Sequence, residues 1–396
     1  MLLHPERWQH LPERLRREGP RRMLALDGGG IRGLVTLGIL QQLEKLVGER
    51  TGLKLGDYFD YIAGTSTGAI IAAGLACGMT VAELVEFYRS CGNEMFEPAF
   101  LVERVKYFYT ADPLKRKLQD VFGQDTLLGS EKLKCLLLVV TKNVTTDSPW
   151  PITNQPDAKY NDRSRADCNL QIPLWQLVRA STAAPVYFPP EVLQWDPANK
   201  SRTYVFADGG VTPHNNPAFL LYRMATDPAY RLGWKTGEQN MLIVSVGTGA
   251  AESLGATAAA PNKNIVWTVA GLPGALMYGM QVEQDINCRT IGRCMFGSRL
   301  DREILDMVPR QVEDGMTMEE RYAAALVPPT SDLGKHFLYS RYNADLSAAG
   351  LSAAGFDNVN PSSIQKMDAV ENMETLLAIG QKAGNSVLPI HFGPFL

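Results

Sequence analysis

The stretch FDYIAGTSTGAIIAAGLACG, residues 59–78, decides the fold class of this chain. It begins with five residues typical of a short buried strand, Phe59–Ala63, and a glycine ends that strand. Small residues follow, as expected of a helix that packs closely on a sheet. Strand and helix patterns alternate in the same way along the first 250 residues, which is typical of βαβ units. The sequence therefore predicts an α/β fold with a parallel sheet covered by helices.

The turn inside this stretch, GTSTG at residues 64–68, fits the pattern G-x-S-x-G. In a nucleophile elbow, a strand, a tight turn and a helix lift a serine hydroxyl above the sheet and point the helix N-terminus at it. The backbone at that serine is strained, and flanking glycines make so tight a turn feasible. We therefore predict that Ser66 is a nucleophile and that Gly64 and Gly68 are the elbow glycines.

A second glycine cluster, DGGGIRG at residues 27–33, follows the predicted strand Arg22–Leu26 and precedes a predicted helix. The cluster also fits the dinucleotide pattern G-x-G-x-x-G, but that pattern expects an acidic residue about 20 positions later. Position 53 is a leucine, which weakens the nucleotide interpretation. Backbone N–H groups without Cβ cover, at the start of a helix, stabilise any anion. A developing oxyanion is one such anion.

The base that would activate Ser66 is a separate question, and two residue types are candidates. Of the five histidines, His214 stays open as a base, because the others precede the core, begin a predicted strand or lie in the C-terminal tail. The third glycine cluster, DGG at residues 208–210, follows the predicted strand Thr203–Ala207. An aspartate at the carboxyl end of a strand, beside flexible glycines, can approach a serine directly. The residues alone leave both His214 and Asp208 open.

Taken in order, DGGGIRG, GTSTG and DGG resemble the patatin-like phospholipase family. Three further segments support the resemblance: ASTAAPVYFPP at 180–190, HNNP at 214–217 and SVGTG at 245–249. The resemblance covers about residues 22–250. It implies a three-layer α/β/α patatin-like fold with a central, mostly parallel sheet. It also implies a lipid acyl hydrolase of the phospholipase A type, a carboxylic ester hydrolase that cleaves the fatty-acyl esters of membrane phospholipids.

The same resemblance implies a catalytic site without a metal or any other cofactor. Ser66 would be the nucleophile and Asp208 the general base of a Ser–Asp dyad, which leaves His214 a supporting role. The oxyanion hole would lie at Gly28, Gly29, Gly30 and Arg32. Gly209 and Gly210 would complete the turn after the aspartate.

Composition limits the classes of partner and the compartment. The chain of 396 residues has 39 basic and 42 acidic residues, so its formal charge of −3 argues against a strongly basic nucleic-acid binder. No apolar stretch approaches the roughly 20 residues of a membrane span, and residues 1–22 lack the apolar core of a signal peptide. Six cysteines without a CxxC pair suggest neither disulfides nor zinc. We expect a cytoplasmic enzyme, without DNA or RNA as partner, that acts at the inner face of the membrane.

The chain is expected to have three parts. Residues 1–21 form a basic arm, 22–250 the patatin-like catalytic domain, and 251–396 a C-terminal extension packed on the same core, with a regulatory role as a hypothesis. Residues 250–264 are a predicted linker, and 95–109 are predicted to be either a lid or a core helix. Chains of this kind resemble effectors of cyclic-nucleotide-activated anti-phage systems that degrade the host membrane. This resemblance implies a cyclic-nucleotide activator and homo-oligomers or ligand-dependent self-association.

Three alternatives remain beside this hypothesis. One is constitutive lipid turnover by the same hydrolase. Another is an acyl-carrier transacylase, which would need a histidine base and a carboxylate-binding arginine such as Arg179. The last is a non-catalytic scaffold.

Overall fold

The structure is a computed structural model that describes residues 3–95, 108–196, 198–250, 265–297 and 334–396. The predicted linker at 250–264 and the predicted lid or core helix at 95–109 lie almost entirely outside the described residues.

Nine strands in the described part of the chain form one sheet. Its order is β5-β6-β3-β2-β1-β7-β9-β8, and β4 pairs with β3 off this path. The strands are β1 (Arg21–Leu26), β2 (Tyr61–Thr65), β3 (Leu136–Asn143), β4 (Ser148–Thr153), β5 (Glu191–Gln194), β6 (Thr203–Asp208), β7 (Met241–Val246), β8 (Arg293–Phe296) and β9 (Leu338–Tyr342).

The helices among the described residues cover both faces of this sheet. They are α1 (Gly33–Thr51), α2 (Leu55–Tyr58), α3 (Thr67–Ala76), α4 (Val81–Met95), α5 (Asp112–Phe122), α6 (Leu174–Ser181), α7 (Ala218–Thr226), α8 (Ile265–Ile291), α9 (Ala348–Ala353), α10 (Pro361–Ile364) and α11 (Met373–Gly384). None of them combines the length and the apolar composition that a membrane span requires.

The centre of the sheet is parallel. Strand β1 pairs in parallel with β2 and β7, β2 with β3, and β9 with both β7 and β8. Only β4, β5 and β6 of the described strands introduce antiparallel pairs. Parallel strands have their carboxyl ends at one edge of the sheet, so the loops after β1, β2 and β7 meet there. This confirms the predicted mostly parallel sheet and brings two of the three glycine clusters together.

Two apolar clusters, one on each face of the sheet, account for the three layers. In β1, Leu24 and Leu26 belong to the first cluster, which α1, α3, α4 and α11 complete. Met23 and Ala25 point to the opposite face and pack with α7 in the second cluster. Strand residues alternate between faces, so a strand buried on both sides is a nearly continuous apolar run. The predicted α/β/α architecture is therefore confirmed.

The N-terminal arm covers part of the second face. Trp8, Leu11 and Leu15 are buried in the second apolar cluster. The indole Nε1 of Trp8 donates a hydrogen bond to Asp157 Oδ2 at 2.9 Å, so the one polar atom of this side chain is also satisfied. The arm is thus held to the body of the protein by burial of apolar surface.

The C-terminal part of the chain joins the same sheet and the same core. Strands β8 and β9 extend the sheet beyond β7. Helix α11 packs along α1 at very short range, because a Cβ on Gly380 would lie 2.3 Å from the carbonyl oxygen of Val35. The central sheet is therefore built from segments on both sides of residue 250.

Candidate active site

Ser66 stands in a strained turn between β2 and α3. Its backbone has φ 55° and ψ −124°, a conformation that costs about 1–3 kcal/mol in a residue other than glycine. The turn closes only because its flanking residues lack side chains. A Cβ on Gly64 would lie 2.1 Å from the carbonyl oxygen of Gly68, and a Cβ on Gly68 would lie 2.3 Å from that of Leu26. The turn therefore has the strain and the close packing that a nucleophile elbow requires.

A second serine, Ser181, holds the backbone of the turn through a hydrogen bond. The Ser66 N–H donates to Ser181 Oγ at 2.9 Å, and that hydroxyl donates to the carbonyl oxygen of Val140 at 2.6 Å. Ser181 is fully buried at the end of α6. Sequence reasoning did not single out this residue, although it lies in the segment ASTAAPVYFPP that carries part of the family resemblance.

Asp208 lies directly beside the serine. The Ser66 hydroxyl donates to Asp208 Oδ2 at 2.6 Å, and the N–H of Gly210 donates to Oδ1 at 2.6 Å. Both side chains are nearly enclosed, with 9% of Ser66 and 4% of Asp208 exposed. Each carboxylate oxygen therefore has one hydrogen-bond donor, and one of the two donors is the Ser66 hydroxyl.

An antiparallel pair of strands places Asp208 beside Ser66. Strand β3 pairs with β2 up to Val140 and then continues beyond the end of β2. Strand β6 pairs with that continuation in the opposite direction, with Asp208 opposite Thr141. The end of β6 therefore arrives beside the end of β2, where the elbow begins.

Burial controls the protonation of Asp208. Removal of the carboxylate from water raises its pKa to about 6, and the bonds from Ser66 and Gly210 and the charge of Arg179 offset only part of that effect. A carboxyl group with a pKa near 6 is ionised at neutral pH and is a stronger base than an ordinary aspartate. Asp208 thus has the properties of a general base.

His214 does not take this position. Its carbonyl oxygen accepts a hydrogen bond from Thr65 Oγ1 at 2.7 Å, and within the described residues its imidazole is not a partner of Ser66. Burial lowers the pKa of the ring to about 4, so the imidazole is neutral at physiological pH. Of the two candidate bases left open by the sequence, the structure places only Asp208 against the serine.

Arg179, the arginine that a transacylase would use, is buried outside the cavity. Its Nη2 donates to the carbonyl oxygen of Pro189 at 2.9 Å, and its guanidinium carbon lies 5.5 Å from the centre of the Phe188 ring. The arginine therefore stabilises the chain around the site and contributes positive charge near Asp208.

The glycine loop, residues 27–33, contains the predicted oxyanion hole, but its residues have different roles. The N–H of Gly28 donates to the carbonyl oxygen of Asn215 at 3.1 Å, so this donor is occupied. Gly29 and Gly30 line the cavity beside Ser66, and in the described part of the chain neither N–H has an acceptor. The geometry thus favours Gly29 and Gly30 as oxyanion donors, with Gly28 as an anchor of the loop.

Arg32 also holds the loop rather than pointing into the cavity. Its Nε donates to the carbonyl oxygen of Gly29 and its Nη1 to that of Gly249, each at 3.3 Å. Burial lowers the pKa of the guanidinium to about 10, at which the side chain is still charged at neutral pH. This positive charge contacts the carbonyl oxygen of Gly29, in the loop that contains the predicted oxyanion hole.

Ser66 and Asp208 open onto an apolar cavity of about 160 Å³. Few of its lining residues other than this pair are polar, and the walls come from both halves of the chain. The apolar walls are Ile70, Leu114, Ala184, Pro185, Val186, Tyr187, Phe188, Val211, Met277 and Met367. Burial of a hydrocarbon chain is favourable by about 0.8 kcal/mol for each CH₂ group. The cavity therefore suits an acyl chain whose ester group lies at the serine.

The described residues contain no group of three or more His, Cys, Asp or Glu side chains arranged to hold a metal ion. The six cysteines all lie within the described residues and form no disulfide bond, and five of them are buried.

Comparison with known proteins gives one family and a set of relatives. The family model described as patatin-like phospholipase matches residues 24–222. A protein of Vibrio cholerae named cGAMP-activated phospholipase is 32% identical over 243 residues, which is 57% of this chain and 62% of that protein. A protein of Escherichia coli with the same name is 29% identical, with the same coverage of both chains. Patatin-17 of Solanum cardiophyllum is 28% identical over 62% of this chain and 64% of that protein. The match thus spans about three fifths of each relative.

Proposed function

Because the chain belongs to the patatin-like phospholipase family, we propose that it hydrolyses fatty-acyl esters of membrane phospholipids through the pair Ser66 and Asp208, without a metal ion. The observation that carries the proposal is the 2.6 Å hydrogen bond from Ser66 Oγ to Asp208 Oδ2 at the floor of an apolar cavity. On this proposal, residues 22–250 hold the catalytic pair and the C-terminal segment completes the cavity through Met277 and Met367.

The first half-reaction forms an acyl-enzyme. Asp208 takes the Ser66 proton while Oγ attacks the ester carbonyl, and the carbonyl oxygen gains negative charge. The N–H groups of Gly29 and Gly30 donate to that oxygen, and one such donor is worth about 3 kcal/mol. The protonated aspartate then gives its proton to the departing oxygen of the lysophospholipid, and the carbon–oxygen bond breaks.

The second half-reaction returns the enzyme to its starting state. Asp208, again ionised, takes a proton from a water molecule that attacks the acyl carbonyl on Ser66. The same loop stabilises the second oxyanion, and the proton returns to Ser66 Oγ as the fatty acid leaves. Gly210 keeps Oδ1 occupied throughout, so Oδ2 is the atom that exchanges protons.

The pKa of Asp208 predicts how the rate depends on pH. The base is active only when ionised, so the rate is expected to level off above about pH 7 and to fall about tenfold per unit below the pKa of about 6. The measurement is kcat/KM for a soluble nitrophenyl ester at constant ionic strength between about pH 4.5 and pH 8.5. A rate that stays constant down to pH 4.5 would show that no group with this pKa acts as the base.

The proposed activity is tested on vesicles of phosphatidylethanolamine and phosphatidylglycerol, with products identified by mass spectrometry. Hydrolysis by water releases a free fatty acid and a lysophospholipid in equal amounts. Acyl transfer to an added carrier without free fatty acid would support the transacylase instead. A protein that leaves the lipids unchanged, both with and without added cyclic nucleotides, would support a non-catalytic scaffold.

We further propose that a cyclic dinucleotide activates the enzyme to degrade the membrane in anti-phage defence, at the inner face of the membrane. The support comes from the sequence resemblance and from the two relatives whose names state activation by cGAMP. Addition of cyclic GMP–AMP is expected to raise vesicle hydrolysis at least about tenfold and to promote self-association, measured by light scattering. The same hydrolysis rate with and without a panel of cyclic di- and trinucleotides would refute activation and leave constitutive lipid turnover.

A further inference from the structure

A buried ion pair ties the C-terminal part of the chain to the glycine loop. Nη1 of Arg341 donates to Asp27 Oδ1 at 2.8 Å, and Nη2 donates to the other oxygen, so the two groups meet through two parallel bonds. Nη1 also donates to Ser245 Oγ at 2.7 Å. Asp27 has no exposed surface, and 4% of Arg341 is exposed. Asp27 is the first residue of the loop that carries the oxyanion donors.

The register of the sheet explains how these residues meet. Arg341 on β9 is opposite Ser245 on β7, and Ser245 is opposite Ala25 on β1. Asp27 follows Ala25 by two positions and therefore points to the same face of the sheet. The arginine reaches across β7 to the point where β1 ends and the loop begins.

A second C-terminal residue, Met367, contacts the glycine loop just after Gly29. The N–H of Ile31 donates to the carbonyl oxygen of Met367 at 2.8 Å. A Cβ on Gly30 would lie 2.2 Å from the same oxygen, so Met367 lies directly on the loop. Gly29 and Gly30 are thus held between contacts to Arg341 and Met367, and both of these residues lie beyond the segment that matches the family model.

A buried ion pair is by itself weak evidence of a contribution to stability, because loss of hydration offsets much of the attraction between the charges. Its geometry is more informative. The planar guanidinium fork fixes both the position and the orientation of a carboxylate, which a lysine ammonium does not. Oxyanion stabilisation depends on donors placed to within about 0.5 Å.

We propose that Arg341 is a positioning residue, which orients the N–H groups of Gly29 and Gly30 towards the oxyanion by fixing Asp27 at the start of the glycine loop. This inference rests on the proposed ester hydrolysis at Ser66. It predicts that loss of the two-bond geometry slows the chemical step and leaves substrate binding and the Asp208 base unchanged.

The test compares Arg341→Lys with Arg289→Lys. Arg289 also forms a buried ion pair, since its Nε donates to Asp285 Oδ2 at 2.8 Å. In both pairs 4% of the arginine side chain and none of the aspartate side chain is exposed. Asp285 lies on α8 and not in the glycine loop, so Arg289→Lys is a matched control for the loss of a buried arginine. The readouts are kcat, KM and the pH profile with a soluble nitrophenyl ester, together with the melting temperature.

For Arg341→Lys, kcat is expected to fall about 10- to 100-fold, because misplacement of reacting groups by about 1 Å costs about that factor. KM should stay within about twofold, and the acid limb of the pH profile should stay at the wild-type position, because Asp208 does not contact Arg341. Arg289→Lys should keep kcat within about threefold at a similar loss of melting temperature. Equal kcat for Arg341→Lys and wild type, or equal losses in the two variants, would overturn the inference.

A double variant keeps the test valid if Arg341→Lys does not fold. Asp27→Asn combined with Arg341→Gln leaves two neutral amides in place of the ion pair, so neither member of the pair is buried without its partner. It is expected to fold and to show the same loss of kcat, whereas a folded double variant with wild-type kcat would overturn the inference. A wild-type protein without esterase activity both with and without added cyclic dinucleotides would refute the proposed function itself, and the positioning role with it.

Discussion

Replacement of Ser66 by alanine is expected to lower kcat for phospholipid hydrolysis by about five to six orders of magnitude. In the proposed mechanism the hydroxyl attacks the ester, and alanine has no atom that could form the acyl-enzyme. The backbone of the elbow should not change, because the N–H of residue 66 still donates to Ser181 Oγ. Folding of the variant is checked by circular dichroism and melting temperature, and activity by release of free fatty acid.

Ser340→Ala is the matched control for this prediction. Ser340 is also buried, and its hydroxyl donates to the carbonyl oxygen of His391 at 2.8 Å, away from the cavity. Loss of this hydrogen bond is expected to lower stability by about 1 kcal/mol and to leave kcat within about threefold. Activity of Ser66→Ala above about one hundredth of wild type would show that another residue is the nucleophile.

Replacement of Asp208 by asparagine is expected to lower kcat by about three to four orders of magnitude, near the upper limit for loss of a general base. Asparagine has the same shape, but its amide group does not take a proton from Ser66. The acid limb near pH 6 should disappear from the residual activity, because the group that produces it is gone.

The same substitution should make the protein more stable. Burial raises the pKa of Asp208 from 3.8 to about 6, so above pH 6 the ionised carboxylate destabilises the folded state relative to the unfolded chain. Below the unfolded value the group is protonated in both states, and this destabilisation is absent. Asp208→Asn is therefore expected to raise the free energy of unfolding at pH 7.5 by up to about 3 kcal/mol, measured in urea. Lower activity with higher stability is the result expected of a catalytic group and not of a structural one.

His214→Gln is the control that separates the two candidate bases. The Thr65 hydroxyl bonds to the main-chain carbonyl of residue 214, and this contact survives the substitution. Activity is expected to stay within about threefold of wild type. The opposite pattern, with His214→Gln inactive and Asp208→Asn active, would support a Ser–His pair.

Much of the site could be predicted from the sequence because its parts are local. The elbow needs a strand, two glycines, a serine and a helix within 20 residues, and the stretch at 59–78 shows all of them. The glycine loop after β1 is equally local. Since both strands run in parallel at the centre of one sheet, the topology alone brings the two loops together.

Three features depend on contacts between distant residues, and no local pattern indicates them. The position of Asp208 follows from the antiparallel pairing of β6 with the end of β3, which is not visible in a strand pattern. The occupied N–H of Gly28 depends on Asn215, which lies 187 positions away. The pair between Arg341 and Asp27 joins residues 314 positions apart. These long-range contacts decide which glycine donors are free and which base reaches the serine.

The most direct test of the Ser66–Asp208 account is peptide mapping by mass spectrometry after reaction with an alkyl fluorophosphonate, which forms a stable adduct with an activated serine. In the wild-type protein, we expect a single adduct on the peptide that contains Ser66, formed in step with loss of activity. In Asp208→Asn, the same adduct should form at least about 100-fold more slowly. Complete inactivation with the adduct on another serine, or labelling of Ser66 at the wild-type rate in Asp208→Asn, would contradict the account.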